Sequence, residues 1–293
     1  MPSVSQVSRL SLKNILFPTD FSPASRAALP FACTLAQIYG STILVAHSIP
    51  PEPHLAVPLE RVPEQDGMVW DEVRHKFESF LHTCSFGTIP WKSLLDRGDL
   101  AGVVPAMIQE HEADLVVLGT HGRRGISKLI LGSSAEKICR SATCPVLTVG
   151  PRAHGAQEWK IRRILCPVDS SEDPAPVLHY ALSLAEENQS ELILLEAAPL
   201  IAWQHRPSVE ERSRRALEGL IPESANYWCT PDVVIRWEHP ADAILQEAEI
   251  RNVDLIVMSV HKSRLSSWSA HLPWPVASEV VSLARCPVLT IRV

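Results

Sequence analysis

KNILFPTDFSPAS, residues 13–25, returns as RRILCPVDSSEDP, residues 162–174, and this recurrence decides the architecture. Three further pairs follow in the same order. STILVAHS, residues 41–48, pairs with SELILLEA, residues 190–197. ADLVVLGTHGRR, residues 113–124, pairs with VDLIVMSVHKSR, residues 253–264, and TCPVLTV, residues 143–149, pairs with RCPVLTI, residues 285–291. Matched segments that keep their order across a chain are the mark of a duplicated unit. The halves are residues 1–150 and 160–293, joined through the polar stretch GPRAHGAQEWK at residues 150–160.

Within each half, short apolar runs alternate with longer segments of helical period. The runs predict strands at 15–19, 42–48, 91–95, 115–120 and 146–149, then at 164–168, 192–197, 233–237, 255–260 and 288–291. Runs such as LVVLG and LIVMS, apolar throughout, suit strands covered on both faces. Helices between successive strands make the class α/β, with two doubly wound, open, parallel five-stranded sheets. Ser22-Pro23 supplies a capping hydroxyl and a proline suited to the first helical position, and Gly40 can end that helix in a left-handed turn. Pro30 should kink the helix, because it removes a backbone bond. The proline-rich segment Pro50 to Gly67 reads as a loop near the sheet edge.

The chain has 293 residues, 46% of them hydrophobic, with a formal net charge of -6, which allows two globular cores. That charge offers no general attraction for nucleic acid or anionic lipid. Neither is an expected partner. No apolar stretch is long enough to span a bilayer, and the opening residues lack the apolar core of a secretion signal, so the expected compartment is the cytoplasm. The seven cysteines contain no C-x-x-C pair and read as small buried hydrophobes rather than a disulfide frame or a zinc site.

The strongest chemical signal follows the fourth strand: Gly119-Thr120-His121-Gly122, nine residues, then Gly132-Ser133. Glycines let backbone N–H groups reach phosphate oxygens, and the helix N-terminus that Gly132-Ser133 opens adds partial positive charge. Ser133 can donate its hydroxyl, while Arg123, Arg124 and Lys128 bring cations. Neither G-x-x-x-x-G-K-[ST] nor G-x-G-x-x-G can be read there, which excludes a Walker A loop and a Rossmann dinucleotide site. The second signal is Pro18-Thr19-Asp20 at the end of the first strand. With a sheet order of 3-2-1-4-5, the switch point lies between strands one and four, and the two signals face one crevice. Asp20 can accept hydrogen bonds from a ribose or help hold a metal ion. Helix capping is its alternative role, but Ser22 is already placed as the cap.

These residues resemble the universal stress proteins, in the form that carries two such domains in one chain. The motifs P-T-D, G-x-x-G-x(9)-G-S and C-P-V-L carry the resemblance. It implies the 3-2-1-4-5 sheet, packing of the halves through their fifth strands, and ATP, with Mg2+, in the crevice. It places Pro18, Thr19 and Asp20 against the adenosine and the backbone near Ser48 against the adenine. Leu118, Gly119 and Gly122 then follow the sugar and phosphates, which Gly132, Ser133 and Ser134 hold. Tandem members often pair as homodimers as well.

Three functions remain open from sequence: a nucleotide-dependent stress regulator acting on an unnamed protein partner, a slow ATP hydrolase, and a scaffold with a vestigial site. Phosphoryl transfer needs a positioned base. Only Asp20 and His121 are at hand, and His121 recurs as His261 where the glycines are gone, which marks it as structural. The second half should bind no nucleotide. Ser259, Lys262, Trp274 and Pro275 stand at the positions of Gly119, Gly122, Gly132 and Ser133.

Overall fold

A computed structural model describes residues 10–49, 62–120, 131–153, 159–169, 173–198, 206–223, 225, 229, 231–260 and 274–292. The first half runs β1 (Asn14–Pro18), α1 (Pro23–Tyr39), β2 (Thr42–Ile49), α2 (Val62–Thr83), β3 (Trp91–Arg97), α3 (Leu100–Glu110), β4 (Leu115–Gly119), α4 (Ser133–Ser141) and β5 (Val146–Val149). The second runs β6 (Arg163–Pro167), α5 (Ala175–Asn188), β7 (Glu191–Ala197), α6 (Arg206–Glu218), β8 (Asp232–Arg236), α7 (Pro240–Ile250), β9 (Leu255–Val260), α8 (Trp274–Leu283) and β10 (Val288–Arg292).

Both halves have the expected order, but they do not remain separate sheets. The strands form one ten-stranded sheet, β3-β2-β1-β4-β5-β10-β9-β6-β7-β8. Every pairing is parallel except the central one, where β5 meets β10 antiparallel with Leu147 opposite Leu289. The seam is reinforced by side chains: Thr148 Oγ1 donates to Val288 O at 3.0 Å, and Thr290 Oγ1 donates to Val146 O at 3.2 Å.

Alternation along each strand divides the core in two. Ile15, Phe17, Leu115 and Val117 face α1 and α2, while Leu16, Val116 and Leu118 face α3 and α4. In the second half α5 and α6 lie on the first of these faces and α7 and α8 on the second. Each core therefore runs through both halves. Trp159, which leads into β6, packs edge-on against Phe31 of α1 at 5.1 Å between ring centroids.

Helix α1 starts and stops as its residues dictate. Ser22 Oγ accepts from Ser25 N–H at 3.2 Å, and Gly40 closes the other end at φ 66. Pro30 lies inside an uninterrupted helix, and its carbonyl accepts from Thr34 Oγ1 at 3.0 Å. The loop expected over Pro50 to Gly67 is corrected in part, because α2 already begins at Val62. A 22-residue helix that sets Phe77 and Phe80 in the core can extend its first turns through weak helix formers. Residues 50–61 lie outside the described residues. All seven cysteines are free, and burial pushes the thiols of Cys139, Cys144, Cys166 and Cys286 up to about 12.

Candidate functional site

The carboxyl ends of β1 and β4 lie side by side, with Ile15 opposite Leu115, and the chain leaves them toward opposite faces, into α1 and into α4. This is the switch point of the first half. Pro18 ends β1 fully covered, with Ala46 of β2 as its register partner. Thr19 is completely buried. Its N–H donates to Ala46 O at 2.8 Å, its Oγ1 accepts from Phe21 N–H at 3.0 Å, and Oγ1 lies 2.9 Å from Ser25 Oγ. Thr19 thus ties the strand end to the first turn of α1. Asp20 is half-buried, and its Oδ1 accepts from Ser22 N–H at 3.0 Å, bracing the residue that caps the helix.

Between them Phe21 takes φ 64, a left-handed backbone uncommon for a bulky side chain and the kind of strain that gathers at functional turns. Its ring lies 4.1 Å from that of His47 on β2, with Phe80 and Phe77 at 5.4 and 5.9 Å. His47 Nδ1 is 2.6 Å from Thr19 O; because a carbonyl can only accept, Nδ1 carries the proton. Ser48 follows on β2, buried and opposite Asp96 of β3. Phe21 and His47 escaped the sequence reading. A histidine inside the apolar run TILVAHSI was a signal for the second, whereas nothing in the residue type announces the backbone of the first.

On the neighbouring strand Leu118 is buried and Gly119 half-buried. A Cβ on Gly119 would stand 2.4 Å from Ala24 O and 3.0 Å from Ser25 N, so this glycine is required by the close approach of α1. Thr120 is held by Val149 O at 3.1 Å, and its own carbonyl accepts from Gly132 N–H at 2.7 Å, closing the connection into α4 on itself. Gly132 is the cap residue of α4, at φ -61 and ψ 143, and its carbonyl takes the first helical bond from Glu136 N–H at 2.9 Å. Among the described residues no side chain caps this end. The N–H groups of Ser133, Ser134 and Ala135 therefore have no partner within the helix, and the Ser133 and Ser134 side chains are exposed beside them. Gly132, expected among the phosphate-holding residues, has its own N–H taken by Thr120 O. Gly122, His121, Arg123, Arg124 and Lys128 lie outside the described residues.

The corresponding edge of the second half differs in its donors. Asp169 is half-buried after β6 and Ser259 half-buried on β9. Helix α8 opens on Trp274-Pro275, and Pro275 has no N–H to offer. His261 and Lys262 lie outside the described residues. Among the described residues, no group of three or more histidine, cysteine, aspartate or glutamate side chains could hold a metal ion, and no helix is long and apolar enough to cross a membrane.

A doubly wound α/β unit, duplicated and fused through the fifth strands, with a helix N-terminus at each switch point, is the class these features define. The sequence profile of the universal stress protein family matches twice, at residues 11–150 and 160–292. The chain belongs to that family. It is 33% identical over 146 residues to universal stress protein A homolog 1 of Coxiella burnetii, covering 47% of this chain and 95% of the relative. Against a universal stress protein of Mycobacterium tuberculosis the identity is 24% over 292 residues, covering 95% and 96% of the two chains. Among solved structures, a universal stress protein from Archaeoglobus fulgidus has a TM-score of 0.66 at 18% identity, covering 97% of this chain and 99% of that one. At that identity the likeness is one of fold.

Proposed function

We propose that the first half binds ATP or a related adenine nucleotide with Mg2+, and that occupancy regulates the association of this universal stress protein with a protein partner. The observation that carries this reading is the uncapped start of α4. The first turn, with N–H groups that have no helical partner and two exposed serine hydroxyls, stands at the carboxyl edge of the sheet, where the neighbouring β1 ends at Pro18 and leads into Thr19 and Asp20. Such a donor set suits phosphate oxygens, and the helix dipole adds to it. Asp20 supplies the carboxylate beside it for Mg2+ or a ribose hydroxyl. The second half keeps Asp169 but begins α8 with a tryptophan and a proline, which removes donors where phosphate would lie.

Calorimetric titration of the intact chain with ATP and Mg2+ tests this reading, and the expected stoichiometry is one nucleotide per chain. No binding overturns the assignment of the first half. A stoichiometry near two overturns the assignment of the second.

A further inference from the structure

The two halves repeat each other closely at the amino ends of their strands. Asp254 Oδ2 accepts from the N–H groups of Arg162 and Arg163, each at 2.9 Å, as Asp114 Oδ2 accepts from Lys13 and Asn14 at 2.7 and 2.9 Å. Ser190 Oγ donates to Ile161 O as Ser41 Oγ does to Leu12 O. Helices α5 and α1 end alike, in left-handed residues Gln189 and Gly40. Counting from these anchors, Leu10 corresponds to Trp159 and Tyr180 to Phe31. From Cys144 and Cys286, Thr143 corresponds to Arg285.

The equivalence breaks at one place. In the second half the indole of Trp159 fills the space beside Phe31, only 6% exposed, and its Nε1–H donates to Asp254 O at 3.0 Å. In the first half Leu10 has neither the ring nor the donor, while Arg285, the counterpart of Thr143, turns away to Glu249 at 3.0 Å. What opens there is a cleft of about 370 Å³ whose lining includes Leu10, Asp114, Thr143, Cys144, His179 and Tyr180. Leu10 and Tyr180 also border a small apolar space of about 20 Å³ with Leu35, Trp159 and Leu184, so apolar side chains lie behind the polar opening.

We propose that this cleft is a binding site for a planar aromatic molecule of indole size that carries a ring N–H. Its ring lies against Tyr180 as Trp159 lies against Phe31, and its N–H donates to Asp114 O as that of Trp159 donates to Asp254 O. Concave sites with an apolar back and a few convergent polar groups are the usual form of small-molecule sites. The cleft lies where the chain enters β4 and β5, at the end of the strands opposite the nucleotide crevice. Its occupancy is independent of the nucleotide reading.

Calorimetric titration of the full chain with indole should give one saturable site. Leu10→Trp should fill the cleft from within and weaken indole binding about tenfold or more, a loss of at least 1.4 kcal/mol. Tyr180→Leu, which removes the ring the ligand lies against and keeps an apolar side chain there, should weaken it as well. Saturating ATP and Mg2+ should leave indole binding unchanged. Absence of binding to the native chain, binding that Tyr180→Leu leaves intact, or displacement of indole by ATP would each overturn the proposal.

Discussion

Asp20 illustrates how far a single residue can be read from sequence. Its place after the first strand marked it for the site and left capping to Ser22, and the structure shows Ser22 as the cap with Asp20 against it. Asp20 Oδ1 holds Ser22 N–H, so the carboxyl group braces the turn that presents it. Asparagine keeps an acceptor oxygen at this position but loses the charge, whereas alanine loses both. Asp20→Asn should weaken nucleotide binding by ~1–3 kcal/mol with little change in melting temperature. Asp20→Ala should lose the same affinity and also ~1 kcal/mol of stability. Titration beside a thermal melt separates the two. If both variants bind as tightly as the native chain, Asp20 belongs to the turn alone. Gly119 shows the limit of such reading. Its place in a glycine motif pointed to a ligand, but its missing side chain makes room for Ala24 O, a contact that depends on tertiary approach and leaves no local signature.

At the scale of elements, the strands were the most legible part, because covered strands must be apolar throughout and each run ended in a proline, glycine or charged residue. Val146–Val149 and Leu255–Val260 fall where the apolar runs predicted them. Helix α2 was less legible, since its first residues are poor helix formers and only its later aromatic face anchors it. At the outer edge of the second half the strand at 233–237 was read but the ion network that holds it was not. There Glu247 of α7 is 1% exposed, with Oε2 accepting from Arg236 Nε at 2.9 Å and Oε1 accepting from Arg251 Nε at 3.1 Å. Arg251 in turn reaches Asp232 at 2.6 Å, so the network ties α7 to both ends of the edge strand β8. In the equivalent place of α3 the first half carries a buried methionine, Met107. Replacing a whole buried ion group by apolar side chains often costs little, whereas removing one partner strands the charges that remain. Glu247→Met fills the space but leaves the half-exposed Arg236 and Arg251 without their carboxylate and should lose ~1–2 kcal/mol, and Glu247→Ala, which adds a cavity, should lose ~3–5 kcal/mol. Chemical denaturation compares them. Equal losses would show that the carboxylate itself, and not the filled space, holds the edge.

For the whole molecule, the duplication was plain in the residues themselves, whereas joining through the fifth strands was implied only by the family resemblance. Four ordered matches establish two copies, and strand polarity within each copy follows from its helical crossovers. Whether the copies stand apart or share a core depends on what covers β5 and β10, and both strands read simply as apolar. The structure answers with one sheet and two cores, each drawing side chains from both halves. Leu10 N–H donates to Glu187 of α5 at 2.8 Å, and Trp159 lies against α1, so the segment leading into each half is held by a helix of the other. A chain built this way has no internal boundary at which one half can melt first. Guanidinium unfolding followed by tryptophan fluorescence and by far-UV circular dichroism should therefore give coincident single transitions, although chains of this size often populate intermediates. Trp159→Ala supplies the sharper test. It removes a nearly covered ring and its hydrogen bond to Asp254 O from the seam, a loss of ~3–5 kcal/mol for a large aromatic side chain. Because the seam belongs to both cores, that loss should move the one transition to lower denaturant without dividing it. Two resolved transitions in the native chain, or a variant in which one half unfolds early while the other keeps its native midpoint, would mean that the halves are stable apart and that the continuous sheet joins them without coupling their stability.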